Sequence, residues 1–247
     1  MKKAMWVISF IALAGTAIVL QFMPDQVPMH YDAVGNIDRW GSKYENLIFP
    51  VIILVMSLFW TLFIRYYENK ALKTADEKES TGAKSNAKVL GIIGLCMAAM
   101  FTVMQGFILY GAHSEAVSGA TQWTVDIGKV SVILTGIIFI VLGNFMTKTR
   151  INSTVGVRVS WSMYNDNTWR KSNRFGAFAI MLAGVLTIIT AVLMKSSFGA
   201  AMVMTGYIII ALIITVIYAH KVYVQELELE NKGEKNISRY ESDSDAG

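Results

Sequence analysis

Six long runs of apolar residues, each free of Asp, Glu, Lys, Arg and His, are separated by polar segments that hold most of the charge. They cover residues 4–22, 47–64, 89–110, 130–146, 175–194 and 198–219. At roughly 17–22 residues, each is long enough to cross the hydrocarbon core as a helix. A helix satisfies its own backbone hydrogen bonds there. None shows the strict polar–apolar alternation of a barrel strand. The pattern predicts an all-α polytopic membrane protein with six transmembrane helices.

Composition agrees. The chain is 54% hydrophobic and 16% charged, with mean hydropathy +0.45, too apolar for a soluble domain. Met1-Lys2-Lys3 before an apolar run has the outline of a secretory signal. The run is long for such a signal and five more follow, so it reads as a retained first helix. The single cysteine, Cys96, lies inside the third run, which rules out an intramolecular disulfide or a cysteine-based metal cluster.

The distribution of charge sets the orientation. Segments 65–88 and 147–174 carry six basic residues each. With Lys2 and Lys3 they put fourteen on one side, against four (Arg39, Lys43, Lys129 and Lys195) on the other. The positive-inside rule then places both termini in the cytoplasm, and the even number of spans agrees by putting them on one side. Residues 68–88, polar and mixed in charge, read as a flexible inner loop or a frayed helix. The tail after His220 loses hydrophobicity towards its end, which reads as disordered.

Catalytic equipment is missing. The spans offer only Gln105, Asn144, Cys96 and scattered Ser and Thr, residues that join helix to helix. An Asp pair, a Ser–His pair or HExxH for an intramembrane protease is absent from them, and the chain has no phosphate-binding glycine motif. No internal repeat points to the architecture of many secondary transporters. The chain reads as a non-enzyme without a cofactor.

Two segments stand out. Loop 23–46 contains PDQVPMHYDAVGNIDRWGSKYE, with prolines at its entry and a Gly35-Asn36 turn between short apolar-containing runs. His30, Asp32 and Asp38 lie within it. One His and two carboxylates in a turn-rich loop read as solvated or structural rather than as a metal site. An ordered loop that contacts an external ligand is the favoured reading. The second segment, GVRVSWSMYNDNTWRKSNRFGAF, crowds Arg158, Arg170, Lys171 and Arg174 around Trp161 and Trp169. Asn165-Asp166-Asn167 offers N-cap residues for a helix running into the fifth span. Basic residues on anionic headgroups with Trp as anchor would explain the composition. The length and the many amide side chains point further, to a folded inner cap that docks something.

The run GNFMTKTRINSTVGVRVSWSMYNDNTWRKSNRFG, residues 143–176, resembles the signature of the SdpI-type immunity proteins. Matching positions are Gly143, Asn144, Asn152, Gly156, Arg158, Trp161, Trp169, Arg170, Lys171, Arg174 and Gly176. The pattern departs at Val159-Ser160, where Thr-Pro is usual, and at Asn173, where His is usual. Loop 23–46 resembles the small domain of unknown function that often precedes the SdpI domain. The resemblance implies a multi-pass protein of the bacterial cell membrane that protects against a secreted peptide toxin. It also implies a signalling role in which a cytoplasmic transcriptional repressor is held at the membrane, with no direct nucleic-acid binding by this chain. Partners would be the lipid bilayer, the toxin and the repressor. Expected divisions are a two-helix unit at 1–66, a cytoplasmic linker at 67–88, a four-helix SdpI-like domain at 89–220 and a tail at 221–247. A transport protein or transporter accessory subunit is the alternative reading.

Overall fold

A computed structural model shows six helices long and apolar enough to cross a membrane, with a small hairpin between the first two. It describes residues 1–32, 34–147, 151 and 156–244, with side chains described as far as Lys232 apart from Lys78. The helices are α1 (Lys2–Val19), α2 (Ile48–Lys73), α3 (Glu77–Ser118), α4 (Ile127–Met146), α5 (Asp166–Leu193) and α6 (Ser197–Ser244). The expected all-helical membrane bundle is present. The addition to it is the antiparallel pair β1 (Gln26–Tyr31) and β2 (Ile37–Ser42).

The helices pack as two groups of three. α1 and α2 lie against each other and against α3, while α4, α5 and α6 contact one another, and α3 meets α4. Within the first group, hydroxyls and an indole do the joining. Ser9 and Ser57 are 2.7 Å apart, and Trp6 Nε1 donates to Thr61. Gln105 Nε2, fully inside, donates to Thr16 Oγ1 and to the Asn46 carbonyl. Such bonds hold helices together where lipid removes the hydrophobic drive.

In the second group, α4 and α5 approach backbone to backbone. A Cβ on Gly136 would stand 2.8 Å from the Gly184 carbonyl oxygen, and one on Gly143 would stand 2.8 Å from that of Ala177. Only glycine fits either place, the close approach that small residues allow in membranes.

Two polar stretches are more ordered than their composition indicates. α2 runs to Lys73 and α3 starts at Glu77, so most of 68–88 is helical and the expected boundary at 89 falls inside α3. Glu, Lys and Ala are good helix formers, and Lys70 bridges to Glu79 at 2.9 Å across the break. Likewise α6 continues through Ser244. A span already helical removes the nucleation cost for the Glu-rich segment that follows it.

Candidate functional site

Each end of the bundle carries a folded structure. At the hairpin end, β1 and β2 pair with Val27 opposite Gly41 and Pro28 opposite Trp40, with an irregular register around His30. Val27 is wholly buried and packs with Leu20, Met23, Leu109 and Ala112, which seats the hairpin on α3 and on the turn that follows α1. The Tyr31 hydroxyl donates to Glu115 Oε2 at 2.6 Å, and the Thr124 N–H donates to Glu115 Oε1 at 2.5 Å. Glu115 is fully buried. The Ile37 N–H donates to the Thr121 carbonyl, and the Trp123 N–H to that of Gly35, each at 2.9 Å. The hairpin is thus stapled to the link between α3 and α4. Burial, and then the hydrogen bond and charge of Glu115, push the Tyr31 hydroxyl well above the ordinary tyrosine pKa.

The charged residues of this loop are mostly paired. Arg39 meets Glu45 at 3.1 Å and Lys43 meets Asp25 at 3.0 Å. His30 Nδ1 lies 2.6 Å from Asp38, with both side chains exposed. Asp32 has different partners. It accepts from the Asn36 side chain at 2.7 Å and from the Asn36 and Val34 N–H groups, which hold its carboxyl below the ordinary range. So His30 and Asp38 are brought together and Asp32 is not. Asp32 instead lines a cavity of about 480 Å³ with Trp123, Ser131, Thr135, Ser197 and Met204.

The cap end is built on the start of α5. Asn165 is the N-cap, accepting from the N–H groups of Asn167 and Thr168 while Thr168 Oγ1 accepts from the Asn165 N–H. Trp169 is buried, 2% exposed. Gly156 lies at φ +126°, and a Cβ there would stand 2.9 Å from the Trp169 ring and collide with Asn173 Oδ1. Only glycine fits that backbone and that space. Next to it, Asn173 Oδ1 accepts the Val157 N–H at 2.8 Å, and Asn173 Nδ2 donates to the Trp169 carbonyl at 3.0 Å. Ser162, buried, donates to the Val159 carbonyl at 2.9 Å and closes the following turn.

α6 holds this cap in place. Glu226 accepts from Asn165 at 3.2 Å and from Asn167 at 2.6 Å, and Tyr164 donates to Glu230 at 2.7 Å. That bond, more than burial, pushes the Tyr164 hydroxyl up. The Trp161 ring meets His220 edge-on at 4.6 Å, Tyr164 meets Tyr223 at 5.1 Å, and Phe175 stacks on Tyr218 at 4.1 Å.

The motif residues therefore divide. Gly156, Trp161 and Trp169 build the cap's interior. Arg170, Lys171 and Arg174 are exposed on the first turns of α5, where Arg170 donates to Asn167 at 3.3 Å. Arg158 is exposed and lines an apolar cavity between α4, α5 and α6. Asn152 lies outside the described residues. Glu115, Glu226, Glu230 and His220 do structural work that the sequence reading missed. The one-turn spacing of Glu226 and Glu230 places both on one helix face but names no partner.

The six membrane-length helices and these two folded ends define a multi-pass membrane protein. Comparison with known proteins gives its relationships. Residues 148–219 match the SdpI/YfhL protein family, and residues 7–54 match a domain of unknown function, DUF1648. The chain carries both domains that the sequence resemblance implied. It is 23% identical over 227 residues to the Immunity protein SdpI of Bacillus subtilis (strain 168), covering 90% of this chain and 97% of that protein. No solved structure matches.

Proposed function

We propose that the protein confers immunity to a secreted peptide toxin by binding it at the hairpin end. The observation that carries this reading is the stapled hairpin beside a cavity lined by Asp32 and Trp123. A surface loop costs conformational entropy to order, and an ordered loop over a cavity is suited to recognition. End-to-end similarity to an immunity protein supports the same reading.

The hairpin end faces outward in this account and the cap end faces the cytoplasm, as the distribution of basic residues favours. Arg39 and Lys43 neutralise Glu45 and Asp25, so Asp32 and Asp38 hold the loop's remaining negative charge. A cationic or amphipathic peptide meets that charge on approach. At the other end, Arg170, Lys171 and Arg174 offer a basic surface for a cytoplasmic repressor. Signalling then requires that bound toxin favour one arrangement of the cap by a differential free energy.

Expression in a toxin-sensitive host, followed by peptide-toxin challenge, tests the proposal. Protection by the wild type and its weakening on neutralising Asp32 and Asp38 are the expected results. Unchanged killing of cells that display the wild-type protein in their membranes would overturn it.

A further inference from the structure

The cap end contains a cavity of about 390 Å³ between α4, α5 and α6, within the size range of ligand sites. Its wall is almost entirely hydrocarbon: Phe139, Leu142, Ile180, Leu212 and Val216 are typical. Thr215, which also lines it, donates its hydroxyl to the Ala211 carbonyl at 2.6 Å and presents a methyl group's worth of apolar surface beside it. Arg158 is the one charged residue in the lining. Among the described residues no carboxylate pairs with it. The nearby cap contacts leave Glu226 and Glu230 occupied by Asn165, Asn167 and Tyr164.

An apolar volume with one unpaired guanidinium matches an amphiphile that has a hydrocarbon tail and an anionic head. Arginine takes phosphate oxygens through two parallel hydrogen bonds. The cavity lies between membrane-spanning helices, so the bilayer itself supplies such molecules. We propose that this cavity binds an anionic phospholipid, with an acyl chain in the apolar volume and the phosphate on Arg158. Gly156 and Val157 line the same cavity, and Val157 is the residue tied to Asn173. Lipid occupancy therefore bears directly on the cap.

The test uses the purified full-length protein, delipidated in detergent and offered phosphatidylglycerol or phosphatidylcholine of matched chains. Native mass spectrometry counts the lipid retained. The wild type should retain one phosphatidylglycerol, preferred by about tenfold over phosphatidylcholine, whose choline cation cancels the charge of the phosphate that Arg158 would take. Arg158→Gln should abolish the preference, and Val216→Trp, which fills the cavity, should abolish retention itself. Millimolar inorganic phosphate should displace nothing, since it lacks the chain. Equal retention of the two lipids by the wild type, or an undiminished preference in Arg158→Gln, would refute the site. So would displacement by inorganic phosphate, which would mark a simple anion site. If Val216→Trp does not fold, the Arg158→Gln and phosphate arms still decide.

Discussion

The Asn173 side-chain oxygen accepts the Val157 N–H at 2.8 Å, so the first turns of α5 hold the loop that precedes them. Asn173 is only 1% exposed and uses its amide nitrogen as well, on the Trp169 carbonyl. It stands where the family pattern has His. A neutral imidazole also presents one donor and one acceptor, so the departure preserves the bonding capacity of the position. Asn173→Leu should lower stability by about 1–3 kcal/mol by leaving the Val157 N–H unpaired. Asn173→His should cost distinctly less. Thermal unfolding in detergent measures both, and equal losses would show that volume, not hydrogen bonding, governs the site.

Gly156→Ala should be harmful, and Gly82→Ala should not. The first places a Cβ against Trp169 at a positive φ, with strain on the order of 1–3 kcal/mol. The second has open space within a helix and should stabilise by up to about 1 kcal/mol. Melting temperatures moving in opposite directions are the expected readout.

At the other end, Glu115→Ala should free the hairpin. It strips partners from the Tyr31 hydroxyl and the Thr124 N–H, part-buried bonds worth about 0.5–1.5 kcal/mol each. Hydrogen exchange should quicken in both the hairpin and residues 121–124, and Tyr31→Phe should show a smaller effect. The pH dependence follows from the raised Tyr31 pKa. A folded-state value above the ordinary 10.0 gives a contribution fully present below that value and lost only as pH rises through the higher one. Tyr31 should therefore add no pH dependence to exchange through the neutral range.

The spans were legible because 17–22 residues without charge admit few other readings. Asn165 was legible too, since its amide type and its place before the α5 helix mark an N-cap. The hairpin was visible only as the Gly35-Asn36 turn, because its pairing is irregular near His30 and gives no clean alternation. Glu115 and Glu226 were invisible for a different reason. Their partners Tyr31 and Asn167 lie far away in the chain, and local periodicity carries no record of such contacts. Arg158, grouped by the motif with three other basic residues, was assigned to its cavity only by the packing of α4, α5 and α6.

Orientation has its own test. In a Cys96→Ala background, an impermeant thiol reagent added to intact cells should label Ser118→Cys at the hairpin end and spare Ser160→Cys at the cap end. Both positions are exposed in the fold, so access depends on the side of the membrane. The reverse pattern would turn the protein over.

The central claim is that the hairpin end meets a toxin, and survival measures it most directly. A toxin-sensitive strain expressing the wild type should grow through a peptide-toxin challenge that kills the empty-vector strain. Asp32→Asn combined with Asp38→Asn should weaken that protection, whereas Arg170→Ala with Lys171→Ala should preserve it and release only the cytoplasmic partner. Killing of the wild-type strain at the empty-vector dose, with the protein verified in the membrane, would contradict the account.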